Sequence, residues 1–207
     1  NLLAPMLEKE TGLPVVGYLP PLPEAAIESR HLGLKTAVEI EDLQRKIQIL
    51  ADSAQKTIDW PRFTALFDRP GPAAVPCTLP PAKVRIAVAR DAAFCFTYAE
   101  TLEALEENGA ELCFFSPLQD AALPTDIGGL YLPGGYPELY AVQLAANTAM
   151  RAAVKTAVES GLPTVAECGG FLYLGQTLQD ADGSAYPMAG VLPGQGVRGG
   201  RLVRFGY

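Results

Sequence analysis

The sequence predicts an α/β fold built on a parallel β-sheet. Short apolar runs typical of strands alternate with stretches of helical spacing from Lys83 onward, which is the pattern of right-handed β-α-β units. One such run, residues 164–166, is followed by Cys168, two glycines and a second apolar run with helical spacing. Strand, sharp turn and helix in this order predict a nucleophile elbow, with cysteine in place of serine. Proline-rich residues 68–82 precede this part, so we expect a semi-rigid linker and a domain boundary there.

Composition excludes several classes of function. The chain has 207 residues and is 49% hydrophobic, which suits one large domain, or a medium domain with an extension, and a real core. A net charge of −7 without any Lys/Arg-rich run argues against nucleic acid as a partner. No apolar stretch is long enough to span a bilayer and no signal peptide opens the chain, so we expect a cytoplasmic protein without a membrane partner.

The cysteines and the single histidine bear on metal binding and on the compartment. The four cysteines are scattered, without a Cys-x-x-Cys pair: Cys77, Cys95, Cys113 and Cys168. Because His31 is the only histidine, we expect no metal site, and we expect reduced thiols rather than disulfides. The chain starts at Asn1 rather than at a methionine, and Tyr207 closely follows a strand-like run, so we expect a piece of a longer polypeptide.

The first segment, residues 1–67, predicts a strand, a loop and a helix. Residues 15–19 are predicted as a short buried strand ended by prolines, and residues 30–34 as part of a loop. A helix over residues 41–59 is predicted because its apolar residues share one face: Leu43, Ile47, Leu50, Ala54 and Ile58. These elements cannot bury a core alone, so we expect them to pack on the next domain or on chain outside this sequence.

The second part alternates between strands and helices. The predicted strands cover residues 84–88, 112–115, 127–132 and 164–166, and the predicted helices cover residues 98–108 and 139–159. A hairpin-like turn at residues 180–183 precedes a glycine-rich stretch, 188–205, in which we expect antiparallel additions. Ligands bind at the carboxyl ends of parallel strands, so we expect the loops at 90–96 and 133–138 to meet the elbow there.

The elbow indicates thiol chemistry at Cys168. The thiol follows a strand and precedes a helix, where unpaired N–H groups and the helix dipole favour the thiolate. A thiolate that attacks a carboxamide creates an oxyanion, and the candidate N–H donors are Gly169, Gly134 and Gly135. The alternatives are a buried structural cysteine and, for the two glycines of the loop, a simple tight turn.

A general base and a cleft wall are harder to assign. Cysteine hydrolases pair the thiol with a histidine, but His31 lies far away in the sequence and is expected on a loop or an interface. Residues 90–98 crowd charges and aromatic groups at a strand end, so Arg90, Phe94 and, in the glycine loop, Tyr136 are candidates for a cleft wall. The alternative is a surface Arg–Asp pair followed by core aromatic residues. The sequence contains no P-loop motif, Gly-x-x-x-x-Gly-Lys-Ser/Thr.

Five motifs occur in a fixed order along the chain. They are Ala89-Arg90-Asp91-x-Ala93-Phe94-x-Phe96-x-Tyr98, Phe115-Ser116-Pro117-Leu118, Pro133-Gly134-Gly135-Tyr136-Pro137-Glu138, Ala166-Glu167-Cys168-Gly169-Gly170 and Pro187-Met188-x-Gly190-Val191. Together they resemble the glutamine amidotransferase half of the cobyrinate a,c-diamide synthases. Residues 30–34 resemble the end of that family's ATP-binding half. Cobyric acid synthases also carry Cys-Gly-Gly, but Glu167 and the Tyr-Pro-Glu after the glycine loop are more similar to the diamide synthases.

The resemblance implies a two-half enzyme. Residues 83–207 are expected to be a class I glutamine amidotransferase-like (flavodoxin-like) domain truncated at its C-terminus. Residues 1–67 are expected to be the end of a P-loop-type α/β synthetase domain of the dethiobiotin-synthetase kind. Cys168 would form a glutamyl thioester and release ammonia. The ATP-dependent half, with Mg²⁺, would activate the a and c acetate groups of cobyrinate for amidation in cobalamin biosynthesis. The implied partners are glutamine, the corrinoid and the ATP-binding domain of the same chain.

Two departures from the family pattern limit what this piece is expected to do alone. The family's P-loop would lie upstream of Asn1 and its catalytic histidine downstream of Tyr207. The piece is therefore expected to bind neither ATP nor corrinoid and to be inactive by itself, whereas the whole protein is an ATP-dependent carbon–nitrogen ligase. Three alternatives stay open: another tetrapyrrole acceptor such as a nickel-containing sirohydrochlorin, a stand-alone cysteine hydrolase, and a non-catalytic binding module on the same fold.

Overall fold

The computed structural model describes residues 3–30, 33–68, 71, 83–180, 182–197 and 199. The chain divides into two compact units, Asn1–Val75 and Pro76–Tyr207, and the division falls within the stretch predicted as a linker. Most of that stretch, His31 and the strand-like run at 201–205 lie outside the described residues. No helix in the described ranges is long and apolar enough to cross a lipid bilayer.

The described residues of the first unit form helices and one small β-hairpin. In chain order these are α1 (Leu3–Thr11), β1 (Ser29–Arg30), β2 (Gly33–Leu34), α2 (Leu43–Thr57) and α3 (Trp60–Thr64), with single 3-10 turns at Pro23–Ala25 and Ala37–Glu39. Helix α2 confirms the helix predicted over residues 41–59, whereas α1 was not anticipated from the sequence. Strands β1 and β2 pair antiparallel, so Arg30, Gly33 and Leu34 of the loop predicted at residues 30–34 lie instead in paired strands.

The strand predicted at residues 15–19 is wrong. Within the described residues its backbone pairs through one isolated antiparallel bridge, between Gly17 and Ile58. Tyr18 and Leu19 are exposed rather than buried. A strand needs a partner strand along its length to satisfy its backbone groups. Here the described residues supply single contacts instead, such as the Asp59 N–H donating to the Val16 carbonyl at 2.7 Å.

The apolar side chains of the first unit lie mostly at its surface. Ala25 is its only buried hydrophobic residue within the described ranges, and Ile47 and Leu50 on α2 are exposed. An ion pair between Arg62 of α3 and Glu8 of α1, 2.7 Å long, ties two of its helices together. The described part of this unit therefore builds no hydrophobic core of its own.

The second unit is an α/β sandwich whose described elements follow the predicted alternation. In chain order they are β3 (Val84–Ala89), α4 (Ala99–Glu107), β4 (Ala110–Phe115), β5 (Gly129–Leu132), α5 (Ala141–Ala146), α6 (Thr148–Glu159), β6 (Thr164–Ala166), α7 (Gly169–Leu174), β7 (Thr177–Gln179), β8 (Ala185–Pro187) and β9 (Gln195–Gly196), with a 3-10 turn at Pro137–Tyr140. Strands β3 to β6 form one parallel sheet in the order β4-β3-β5-β6. That order is flavodoxin-like and confirms the predicted fold class.

The helix predicted over residues 139–159 is two helices rather than one. The chain breaks at Asn147, whose side-chain oxygen accepts a hydrogen bond from the Met150 N–H (3.2 Å) and caps α6. The amide nitrogen of Asn147 donates to the carbonyls of Pro117 (2.9 Å) and Asp120 (2.8 Å), in the loop after β4. Because these contacts reach about 30 residues back along the chain, local apolar spacing gave no sign of them.

Two predictions about strand environment need correction. Strand β6 is parallel as predicted but is not buried: it lies at the end of the described sheet order, and Val165 is 58% exposed. The predicted turn at 180–183 does join an antiparallel pair, β7 and β8, but β9 runs parallel to β7 rather than antiparallel. The register pairs Leu178 with both Tyr186 and Gly196.

The core of the second unit lies between the sheet and the helices. Its fully buried members include Ala87 and Leu132 from the sheet, Leu144 and Val154 from α5 and α6, and Tyr173 from α7. Strand β3 is central and the order of strands reverses there, so the loops after β3 and β5 flank a crevice at the carboxyl edge of the sheet. The elbow after β6 opens onto the same edge.

Candidate active site

Cys168 lies at a sharp turn between the end of β6 and the start of α7. Its backbone has φ 46° and ψ −109°, a conformation that costs a non-glycine residue about 1–3 kcal/mol. This is the strained strand-to-helix turn of a nucleophile elbow, as predicted. The cysteine is exposed, which excludes the alternative of a buried structural cysteine.

The elbow is held tightly against the end of β5. A Cβ atom at Gly170 would lie 2.0 Å from the Leu132 carbonyl oxygen, so only glycine allows the approach. The Gly170 N–H donates to the carbonyls of Pro133 (3.0 Å) and Glu167 (2.8 Å). These contacts fix the first turn of α7, and with it the direction in which the backbone presents Cys168.

The glycine loop after β5, residues 133–137, is buried along its whole length and lies beside the elbow. A Cβ built on Gly134 would lie 3.5 Å from the Cβ of Cys168. A Cβ built on Gly169 would lie 3.1 Å from the backbone nitrogen of Gly135. The loop therefore faces both the cysteine and the residue that follows it.

Glycine N–H groups at this junction lack a hydrogen-bond acceptor. Among the described residues, Gly135 and Gly169 are buried, and the backbone N–H of neither donates a hydrogen bond. Gly134 pairs with Phe96 in an isolated antiparallel bridge, in which its carbonyl accepts the Phe96 N–H at 3.0 Å, but its own N–H likewise donates to no described residue. Unpaired buried N–H groups are rare in proteins. Those of Gly135 and Gly169 lie close to the exposed cysteine.

The aromatic candidates for a cleft wall, Phe94 and Tyr136, are buried. Phe94 is completely buried and packs edge-on against Tyr173, with ring centroids 5.5 Å apart. Tyr136 is 2% exposed and packs edge-on against Phe96, with centroids 4.9 Å apart. Because burial leaves these rings almost no accessible surface, they support the loop from inside rather than line a cleft.

Arg90 and Asp91 do not form the surface pair considered as the alternative. The Arg90 guanidinium lies over the Phe114 ring, 5.0 Å from its centroid, on the side of β3 away from β5. The Asp91 carboxylate instead accepts hydrogen bonds from the Ala93 N–H (2.8 Å) and the Ser116 hydroxyl (2.8 Å). Asp91 was not among the sequence-based candidates. A short acidic side chain just beyond a strand end, where it can bind backbone N–H groups, was the available signal.

Glu167, the residue before the cysteine, is tied to the neighbouring strand. The Tyr131 hydroxyl of β5 donates to the Glu167 carboxylate at 3.0 Å. Burial, followed by this hydrogen bond, raises the pKa of Tyr131 to about 12. The pair connects β5 to the elbow.

An exposed cysteine on a nucleophile elbow of a flavodoxin-like sheet, with a glycine loop beside it, defines a domain of the class I glutamine amidotransferase type. Residues 85–206 match the family model of the CobB/CobQ-like glutamine amidotransferase domain, and the chain belongs to this family. The resemblance seen in the five sequence motifs is thereby confirmed.

Two names recur among the similar proteins, cobyrinate a,c-diamide synthase and hydrogenobyrinate a,c-diamide synthase. Cobyrinate a,c-diamide synthase of Dehalococcoides mccartyi is 47% identical over 208 residues, covering 97% of this chain and 45% of that protein. The Salmonella typhimurium protein of the same name is 41% identical over 215 residues, covering 100% and 46%. Hydrogenobyrinate a,c-diamide synthase of Pseudomonas aeruginosa is 47% identical over 186 residues, covering 89% and 42%. The chain spans less than half the length of these relatives.

Proposed function

We propose that this chain supplies the glutaminase part of an a,c-diamide synthase that amidates the a and c acetate groups of a corrin ring in cobalamin biosynthesis. One observation carries the proposal: the exposed Cys168 stands at a strained elbow beside the unpaired N–H groups of Gly135 and Gly169. The names of the similar proteins support the choice of acceptor, cobyrinate or hydrogenobyrinate.

In the proposed reaction, the Cys168 thiolate attacks the side-chain carboxamide carbon of glutamine. The new carbon–sulfur bond creates a tetrahedral oxyanion, to which the N–H groups of Gly135 and Gly169 donate hydrogen bonds. The carbon–nitrogen bond then breaks, and the amide nitrogen takes up a proton and leaves as ammonia. Water hydrolyses the remaining thioester, which releases glutamate and restores the thiol. Residues 83–207 contain no histidine, so we assign the general base to no residue among them.

The amidation half-reaction is proposed to use ATP and Mg²⁺ in the whole protein. The residues present here do not fit these cofactors. The sequence contains no P-loop motif. Within the described ranges no group of three or more His, Cys, Asp or Glu side chains could hold a metal ion. We therefore derive no step through ATP or Mg²⁺ from this chain. The proposed site of action is the cytoplasm, and the proposed partner for the ammonia is the ATP-binding domain of the same polypeptide.

The test compares glutamine and ammonia as nitrogen donors in the full-length enzyme. Cys168→Ala is expected to abolish glutamine hydrolysis and glutamine-dependent amidation of both cobyrinate and hydrogenobyrinate, while amidation with added ammonium continues. Cys113→Ala is the matched control, because Cys113 is a free cysteine on β4 with no contact to the elbow in the described structure. Retention of glutamine-dependent turnover by Cys168→Ala would refute the proposed nucleophile. If the enzyme amidates nickel-containing sirohydrochlorin but neither cobyrinate nor hydrogenobyrinate, the nickel compound takes the place of the corrinoid as the proposed acceptor.

A further inference from the structure

We propose that Asp91 is a positioning residue that holds the glycine loop in the geometry needed to stabilise the oxyanion. The inference rests on the proposed glutaminase function and adds to it a residue that touches neither the thiol nor the substrate. It is drawn from the hydrogen bonds of one carboxylate and from the close packing of two loops.

The Asp91 carboxylate accepts four hydrogen bonds from two different loops. One oxygen accepts from the N–H groups of Ala93 (2.8 Å) and Phe94 (3.2 Å). The other accepts from the Ser116 hydroxyl (2.8 Å) and the Leu118 N–H (2.9 Å). Hydrogen bonds to an ionised acceptor are stronger than neutral ones, so this carboxylate locks the loop after β3 to the loop after β4.

The loop that Asp91 holds is in direct contact with the glycine loop. A Cβ at Gly135 would lie 2.0 Å from the Ala93 carbonyl oxygen and 3.0 Å from the Phe94 Cα. Two residues further on, the Phe96 N–H donates to the Gly134 carbonyl at 3.0 Å. With no side chain between them, a shift of Ala93 passes to Gly135, whose N–H is one of the two proposed donors.

The loop after β4, to which the Asp91 carboxylate is also hydrogen-bonded, is itself anchored to the fold. The Asn147 side chain donates to the carbonyls of Pro117 (2.9 Å) and Asp120 (2.8 Å), which fixes the loop after β4 to the start of α6. Asp120 in turn accepts the Ser116 N–H at 2.7 Å. Asp91 therefore connects the glycine loop to a part of the fold that is itself held by a helix.

The expected effect of Asp91→Asn follows from this geometry. The amide presents an NH₂ group to two of the four donors, which then lack an acceptor, and the loop at Ala93 moves with Gly135 behind it. A displacement of about 1 Å at a reacting group can lower the rate about 100-fold. In the full-length enzyme we expect kcat for glutamine hydrolysis to fall about 10- to 100-fold, while KM for glutamine changes less than about threefold. Ammonia-dependent amidation and the rate of Cys168 alkylation by iodoacetamide should stay close to wild type.

Two further variants keep the test decisive. Asp180→Asn alters a carboxylate that also accepts backbone N–H groups, those of Asp182 and Ser184 (both 2.9 Å), in the turn between β7 and β8, and it should leave kcat within about twofold of wild type. Ser116→Ala removes one of the four donors to Asp91 and should lower kcat about threefold to tenfold. If Asp91→Asn does not fold, the kcat of Ser116→Ala decides whether Asp91 has the positioning role.

Several outcomes would overturn the positioning role alone. These are an unchanged kcat in Asp91→Asn and Ser116→Ala, a rise in KM with kcat intact, or an equal loss of ammonia-dependent amidation. An equal fall of kcat in Asp180→Asn would also do so, because it would show that loss of any carboxylate that binds backbone N–H groups suffices. If the unsubstituted full-length enzyme hydrolyses no glutamine, the proposed function fails first and this inference with it.

Discussion

Replacing Gly135 by alanine tests whether the glycine loop controls the chemistry of the elbow. The added Cβ would lie 2.0 Å from the Ala93 carbonyl oxygen and 2.8 Å from the Ala93 carbonyl carbon, and both are backbone atoms that cannot rotate away. Cβ atoms in proteins essentially never lie closer than 3.0 Å to such a neighbouring heavy atom. The glycine loop and the loop after β3 must therefore separate by at least 1 Å.

The magnitude follows from that separation. Overpacking a closely packed region costs about 1–3 kcal/mol of stability. Loss of one oxyanion donor lowers kcat about 100- to 1,000-fold in other enzymes. A displacement of about 1 Å at a reacting group lowers the rate about 100-fold. We therefore expect Gly135→Ala to lower kcat for glutamine hydrolysis about 100-fold in the full-length enzyme, with a smaller change in KM.

The assay measures glutamate release, with two controls. Gly194→Ala is the matched glycine variant, because nothing lies within 4 Å of the Cβ position at Gly194, and it should behave like wild type. Alkylation of Cys168 by iodoacetamide should proceed at nearly the wild-type rate, since the thiol itself is not displaced. A kcat for Gly135→Ala within threefold of wild type would refute the assignment of this loop to the oxyanion, as would an equal loss in Gly194→Ala.

Two predictions concern stability of the full-length enzyme, followed by chemical denaturation. Asn147→Ala removes the cap of α6 and two hydrogen bonds to the loop after β4, and should lower the free energy of unfolding by about 1–3 kcal/mol; an unchanged value would contradict the anchoring role. The raised pKa of Tyr131, about 12, means that the folded state favours the neutral hydroxyl. Its contribution to stability is therefore complete below pH 10 and is lost as pH rises through 12. Tyr131→Phe should make the decline of stability across that range shallower, and an unchanged decline would contradict this account.

The sequence predicted the parts of the fold that depend on local patterns. The four parallel strands and helix α4 follow from short apolar runs and helical spacing. The elbow at Cys168 follows from a strand, small residues and a helix in immediate succession. These signals are local because β-α-β units place neighbouring elements of the chain side by side.

The errors fall where distant contacts override local pattern. The helix over residues 139–159 is interrupted because Asn147 bonds to carbonyls in the loop after β4. Residues 15–19 have the composition of a strand, but in the part of the chain that the structure describes they pair through a single bridge, between Gly17 and Ile58. Asp91 was not predicted as a site residue because two of its hydrogen-bond donors, Ser116 and Leu118, lie more than 20 residues away in the sequence. Sequence spacing alone does not reveal such partners.

The backbone angles of Cys168 have a consequence for efforts to make this protein more heat-resistant. A glycine at position 168 would adopt φ 46° freely, and it would recover part of the roughly 1–3 kcal/mol that the cysteine costs. A selection for thermal tolerance alone would therefore favour Cys168→Gly, which removes the sulfur proposed to attack glutamine. Thermal stability and catalytic turnover place opposite requirements on residue 168, so a screen for improved variants has to measure both.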